Sequence, residues 1–126
     1  MTPLLLVGLG GFLGSVARYL LSSLVTQWSG APRFPAATLV VNLVGCLAIG
    51  ALSGIATRTA LLTAPLRLFL FTGVLGGFTT FSAFGYETFL LGKDSFNALA
   101  LMNIAAQIVL GVGAVWLGHT LLASGR

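Results

Sequence analysis

Gly76-Gly77-Phe78-Thr79-Thr80-Phe81-Ser82-Ala83-Phe84 lies in the middle of a stretch, Leu66 to Leu91, that is otherwise composed for a lipid interior. Its glycines, hydroxyls and rings interrupt a helix at mid-membrane depth. In hydrocarbon an unpaired N–H or C=O costs several kcal/mol, so an interrupted backbone survives only where it is buried in protein or borders a polar cavity. The run therefore predicts a broken third helix with a site at the break. Length allows it: one continuous helix over this stretch would run about 39 Å against a hydrocarbon core of ~30 Å.

The rest of the chain agrees with a membrane setting. Of its 126 residues 57% are hydrophobic and 6% charged, and the mean hydropathy is +1.06; a soluble surface needs about 25% charged residues. Apolar stretches also run from Pro3 to Val25, Ala36 to Ala56 and Phe96 to Ala123, each long enough to span. The expected fold is all-α, one domain over residues 1–126 with four transmembrane helices, placed in the cell membrane. The first stretch has no basic residue before it and is too long for the apolar part of a secretory signal. Pro3, Pro35 and Pro65 stand at helix starts, where a missing N–H is harmless, and Asp94 or Ser95 is the expected N-cap of the last helix.

Charge is sparse. Arg18, Arg33, Arg58, Arg67, Lys93 and Arg126 are scattered singly, so no nucleic acid or other polyanion is expected as a partner. Their distribution between the two sides is three against two or three, depending on Arg18. The count selects no orientation; insertion both ways and a decision by one marginal charge both remain open. Gly10/Gly14, Gly50/Gly54 and Gly73/Gly77 have the spacing that lets helix backbones approach closely. Gly8 to Gly14 has the look of a dinucleotide loop, but with no strand before it close helix packing is the better reading.

Enzymatic chemistry has little to work with: Glu87, Asp94, His119 and Cys46 are far apart, and a lone cysteine forms no intrachain disulfide. Polar residues inside spans are more informative, because they face the bundle interior or a wet path. Thr38 and Asn42 are four apart on the second helix, and Asn103 and Gln107 four apart on the fourth. Phe81 and Phe84 are one turn apart beside the hydroxyls of Thr79, Thr80 and Ser82. Ring edges carry positive potential, so edges, amide N–H groups and hydroxyls suit a lane for a small anion with no full charge to trap it. Interhelical hydrogen bonding and aromatic packing at a glycine kink are the alternatives. Arg18 is either a snorkelling or Glu87-paired cation or part of an anion-gathering vestibule.

Three ordered motifs resemble the Fluc, or CrcB, family of fluoride channels across essentially the whole chain. They are Gly10-Gly11-Phe12-Leu13-Gly14-Ser15-Val16-Ala17-Arg18-Tyr19, then Thr38-Leu39-Val40-Val41-Asn42-Leu43-Val44-Gly45, and Gly73 through Phe84 followed by Glu87. The resemblance implies an antiparallel, dual-topology homodimer in the lipid bilayer that passes fluoride passively through two pores. It makes Phe81, Phe84 and Asn42 pore residues and Thr38 a member of the polar track, with Asn103, Gln107 and Ser82 joining the lane. It also implies a structural sodium ion at the dimer centre, held by the main-chain carbonyls of Gly76 and Thr79 from both subunits. On the fourth helix the pattern departs: where many relatives carry Tyr and Ser, this chain has Asn103, Gln107 and Gly111, losing a donor at the third position. A small proton-coupled multidrug exporter is the rival, disfavoured because no acid precedes Glu87; a noncatalytic assembly subunit is a third reading.

Overall fold

The computed structural model describes residues 2–30, 33–94 and 97–123, and every regular element among them is helical. Four spans are long and apolar enough to cross a membrane: Thr2–Ser29, Ala36–Arg58, Ala64–Gly92 and Ala98–Ala123. We call the first two α1 and α2, the two helical parts of the third α3 (64–78) and α4 (Phe81–Gly92), and the fourth α5 (Ala98–Ala123).

The boundaries follow local chemistry. α1 gives way at Gly30, whose φ of 67° suits only a residue without Cβ. Pro35 precedes α2 and Pro65 occupies the first turn of α3, where no helical N–H is lost. The start of α5 differs from expectation. Asn97 is the cap: its Oδ1 accepts from the Ala100 N–H at 3.0 Å and its amide also donates to the Leu91 carbonyl. Asn97 serves because it reaches both the first turn of α5 and the last turn of α4, which Asp94 does not cap; Ser95 and Phe96 lie outside the described residues, as does Arg126.

Two seams hold the bundle. α1 packs along α3, and α2 packs along the second half of α5. Both are backbone-to-backbone contacts through glycine. A Cβ on Gly10 would come within 2.6 Å of the Phe69 carbonyl oxygen and 2.8 Å of Gly73 Cα, and one on Gly54 within 2.6 Å of the His119 carbonyl oxygen. The small-residue spacings thus mark real close approaches. The fully packed centre is small: Val41, Leu75, Phe78 and Ala100 are its buried apolar residues, with Thr38 and Asn103 buried among the polar ones. Large apolar side chains such as Leu5, Phe12, Val109 and Trp116 cover the outside, as a surface facing lipid or another apolar surface requires.

Two helical stretches are wound more widely, with π-type bonding: Leu68–Leu75 in α3 and Ala106–Leu110 in α5. Such widened turns shift the side chains that follow and often accompany sites. Nothing in the residue pattern announces them.

Candidate functional site

Between α3 and α4, Thr79 (φ −83°, ψ 156°) and Thr80 (φ −150°, ψ 116°) are extended. The Thr79 N–H still donates to the Leu75 carbonyl at 2.9 Å, but from Thr80 the backbone leaves the helical ladder and must find other partners. Asn42 supplies them. The Thr80 N–H donates to Asn42 Oδ1 at 2.9 Å and Asn42 Nδ2 donates to the Thr80 carbonyl at 3.1 Å, so one side-chain amide pairs with the residue much as a neighbouring strand would. The second N–H of Asn42 goes to Gln107 Oε1 at 3.1 Å on α5. Thr80 Oγ1 then accepts from the Ala83 N–H at 3.2 Å, which caps α4, and lies 3.3 Å from Ser82 Oγ.

These bonds leave two carbonyls exposed to other uses. In a continuous helix the Thr80 N–H would bond to Gly76 O and the Ala83 N–H to Thr79 O. Here those donors go to Asn42 and to the Thr80 hydroxyl.

The rings stand on the same side. Phe81 and Phe84 meet edge to face, centroids 5.4 Å apart and planes at 64°. Both border a cavity of about 380 Å³ together with Asn42, Gly76, Thr79 and Gln107. Its only ionisable lining group is the Cys46 thiol. Phe81 is 82% exposed in the single chain, so this cavity is open on one flank. A second cavity, of about 320 Å³, lies between α1, α2 and α4 and is bordered by Ser15, Arg18, Tyr19, Thr38 and Thr80. Thr80 borders both, and its pinned peptide stands between a neutral, ring-lined space and a space that holds a cation.

Deeper in the bundle, Thr38 Oγ1 donates to Glu87 Oε1 at 2.6 Å. Asn103 Nδ2 donates to Thr88 Oγ1 at 2.9 Å, and Thr88 donates in turn to the Phe84 carbonyl at 2.8 Å. Among the described residues, three buried side-chain atoms have no hydrogen-bond partner: Glu87 Oε2, Asn103 Oδ1 and Gln107 Nε2.

The structure gathers six of the expected site residues, Phe81, Phe84, Asn42, Gln107, Gly76 and Thr79, around one cavity. Thr38 and Arg18 border the other. Ser82 is exposed, with a side-chain hydrogen bond to the Thr80 hydroxyl, and Asn103 is wholly buried one turn from Gln107. Glu87 bonds to Thr38 rather than to Arg18. The sequence offers Thr80 only as one of three hydroxyls beside the rings, and it does not single out Thr88. A Thr three residues before Ala83 at a helix start is a recognisable capping position, whereas Thr88 gives no signal until Asn103 is placed beside it.

The family model described as CrcB-like protein, Camphor Resistance (CrcB), matches residues 5–119. The chain belongs to the CrcB family. Among the curated relatives, the fluoride-specific ion channel FluC of Methylobacillus flagellatus is 46% identical over 122 residues, 97% of this chain and 95% of the relative. FluC of Opitutus terrae is 48% identical over 124 residues, 94% and 91% of the two chains, and FluC of Chlorobaculum tepidum 47% over 123 residues, 98% and 95%. With four apolar spans and CrcB membership, the chain is a multi-pass membrane protein.

Proposed function

We propose that this CrcB protein is a fluoride channel that lets the ion leave the cytoplasm passively. The observation that carries the reading is the cavity at Phe81 and Phe84, where ring edges, the Asn42 and Gln107 amides and extended main chain converge with no full charge. Fluoride holds its water tightly, so a lane must offer several donors at once. Positive ring edges and amide N–H groups offer them without a fixed cation that would hold the ion back. The names of the relatives, fluoride-specific ion channels matched over nearly their full length, agree with it. In this reading Thr38, Asn103 and Ser82 extend the polar track, Arg18 draws anions into the second cavity, and Glu87 is held at the track by Thr38.

The assembly we propose is an antiparallel homodimer of dual topology with two lanes. Its support is the open, apolar flank on which Phe81 lies and the near-balanced loop charge. The break in the third span then meets a two-fold axis. A sodium ion fits there: the Gly76 and Thr79 carbonyls have lost their helical donors to Asn42 and Thr80, main-chain oxygens suit a hard cation, and the axis would double two ligands to four. The ion would supply a fixed positive charge that ties the two breaks together.

Purified protein in liposomes loaded with potassium fluoride tests the function. Fluoride efflux on adding a potassium ionophore, with no comparable chloride efflux, is the expected result; fluoride retention at the rate of empty liposomes overturns it. A tag at the C-terminus should be reachable from both sides of the membrane, and access from one side alone rejects dual topology.

A further inference from the structure

The two cavities that meet at Thr80 run toward opposite sides of the membrane, and each has one arginine toward its outer end. The smaller follows α1 from the level of Thr80 through Ser15, Arg18 and Ser22 toward the first loop. The ring-lined cavity goes the other way. Along α2 its wall runs from Asn42 through Cys46 to Ile49, and along α3 from Thr79 through Leu75 to Phe71, in both cases toward the second loop. One helical turn beyond Phe71 stands Arg67, an exposed residue, with its guanidinium carbon 5.8 Å from the centroid of the Phe71 ring. At that distance a cation is drawn to the negative face of a ring, so the residue at the outer end of the wall also holds the charge at the rim. A cation this near the start of a helix is opposed by the helix dipole. Helix stability therefore does not explain Arg67, whereas dipole and guanidinium together make the rim positive. No acidic side chain on this side offsets it: the two acids of the chain are Glu87 and Asp94, the first bonded to Thr38 near the start of α2 and the second beyond the end of α4, on the other side. Arg58, on the same side as Arg67, is turned to the Leu122 carbonyl at the end of α5.

We propose that Arg67, held over Phe71, is the anion-collecting cation at the outer end of the ring-lined cavity, and that Phe71 is its positioning residue. The inference rests on the fluoride-channel reading and adds to it how the ion reaches a lane that carries no full charge. A neutral lane does not by itself raise the local concentration of an anion. A cation at its rim, between low-dielectric walls, does so from a place that the ion leaves as it enters. Being exposed, the guanidinium acts through water, over about 10 Å at 0.1 M salt and about 3 Å at 1 M. Its effect is therefore large at low ionic strength and lost at high. Anchoring to lipid headgroups, the ordinary work of an interfacial arginine, would follow the charge of the lipid instead.

Initial fluoride efflux from liposomes of neutral phosphatidylcholine tests this on the full chain, at low and at saturating fluoride, in dilute buffer and again with about 1 M potassium gluconate as an impermeant salt. At low fluoride in dilute buffer, Arg67→Gln should lower efflux by roughly 3- to 10-fold, Arg67→Glu by more and Arg67→Lys by little. All should converge on the parent at high salt and at saturating fluoride. Arg58→Gln, which loses the same charge on the same side away from the cavity, should follow the parent throughout. Phe71→Leu, which releases the guanidinium, should show part of the Arg67→Gln loss with the same convergence, and it carries the test if Arg67→Gln does not purify as a single peak. Parental efflux of Arg67→Gln in dilute buffer overturns the proposal. So does a loss that persists at high salt, an equal loss in Arg58→Gln, or a loss that needs added phosphatidylglycerol. A parent protein that does not conduct fluoride overturns the channel reading instead, so the two failures are distinct.

Discussion

The two parts of the third span are held by opposite means. α3 is fixed by shape: Gly73, Leu75 and Phe78 are buried, and Gly73 and Gly77 lie against the α1 backbone. α4 has no buried residue at all. It is held by directional bonds, Asn42 to Thr80, Thr38 to Glu87 and Asn103 to Thr88, while its outer face, with Phe81, is left open. Packing tolerates no added volume but is indifferent to polarity; hydrogen bonding tolerates space but demands the right donor. The part that would line the proposed lane is thus the part anchored through polar groups, whose orientation can be set atom by atom.

That contrast can be broken from either side. The largest effect should come from the shape-fixed part. Gly10→Leu would drive a Cβ to 2.6 Å from the Phe69 oxygen and 2.8 Å from Gly73 Cα, and backbone cannot yield as a flexible side chain does. A destabilisation of more than about 3 kcal/mol is expected, seen as loss of a monodisperse peak after purification. Next, Thr38→Val removes the hydrogen bond to Glu87 Oε1, on a half-buried carboxyl whose other oxygen, Oε2, is already buried without a partner. This should lower thermal stability by about 2 kcal/mol.

The third change separates function from stability. Phe84→Ile keeps bulk but loses the ring that meets Phe81 at 5.4 Å, so fluoride efflux should fall about ten-fold, the equivalent of ~1.4 kcal/mol. The melting temperature should barely move; equal loss of stability and flux would make the rings packing only. The smallest effect belongs to Asn97→Ala, which removes the cap of α5 far from the cavity. About 1 kcal/mol of stability and normal efflux are expected.

Much of the candidate site was legible. Thr38/Asn42 and Asn103/Gln107 stood out because polar groups inside apolar spans need partners, and Asn42 and Gln107 do meet. What stayed hidden was which atom meets which. From spacing alone Asn42 is a free donor beside the rings; in the folded chain both its N–H groups are taken. Thr38 reads as the companion of Asn42 but borders the Arg18 cavity and bonds to Glu87. A four-residue spacing places two side chains on one helical face without saying which neighbour each will reach. The widened turns at Leu68–Leu75 and Ala106–Leu110 are equally silent, because most of their residues are ordinary apolar ones that suit a regular helix as well.

By itself the sequence determined four membrane spans, their approximate ends, the glycines at the seams and the run at Gly76 to Phe84, because each depends on properties local to a segment: hydropathy over a window, a missing Cβ, a missing N–H. Only the tertiary structure decided the polarity of the site. Whether an amide offers its oxygen or its nitrogen is settled by what it faces across the bundle, and here the deciding group is the N–H of Thr80, 38 positions from Asn42 and on a different span.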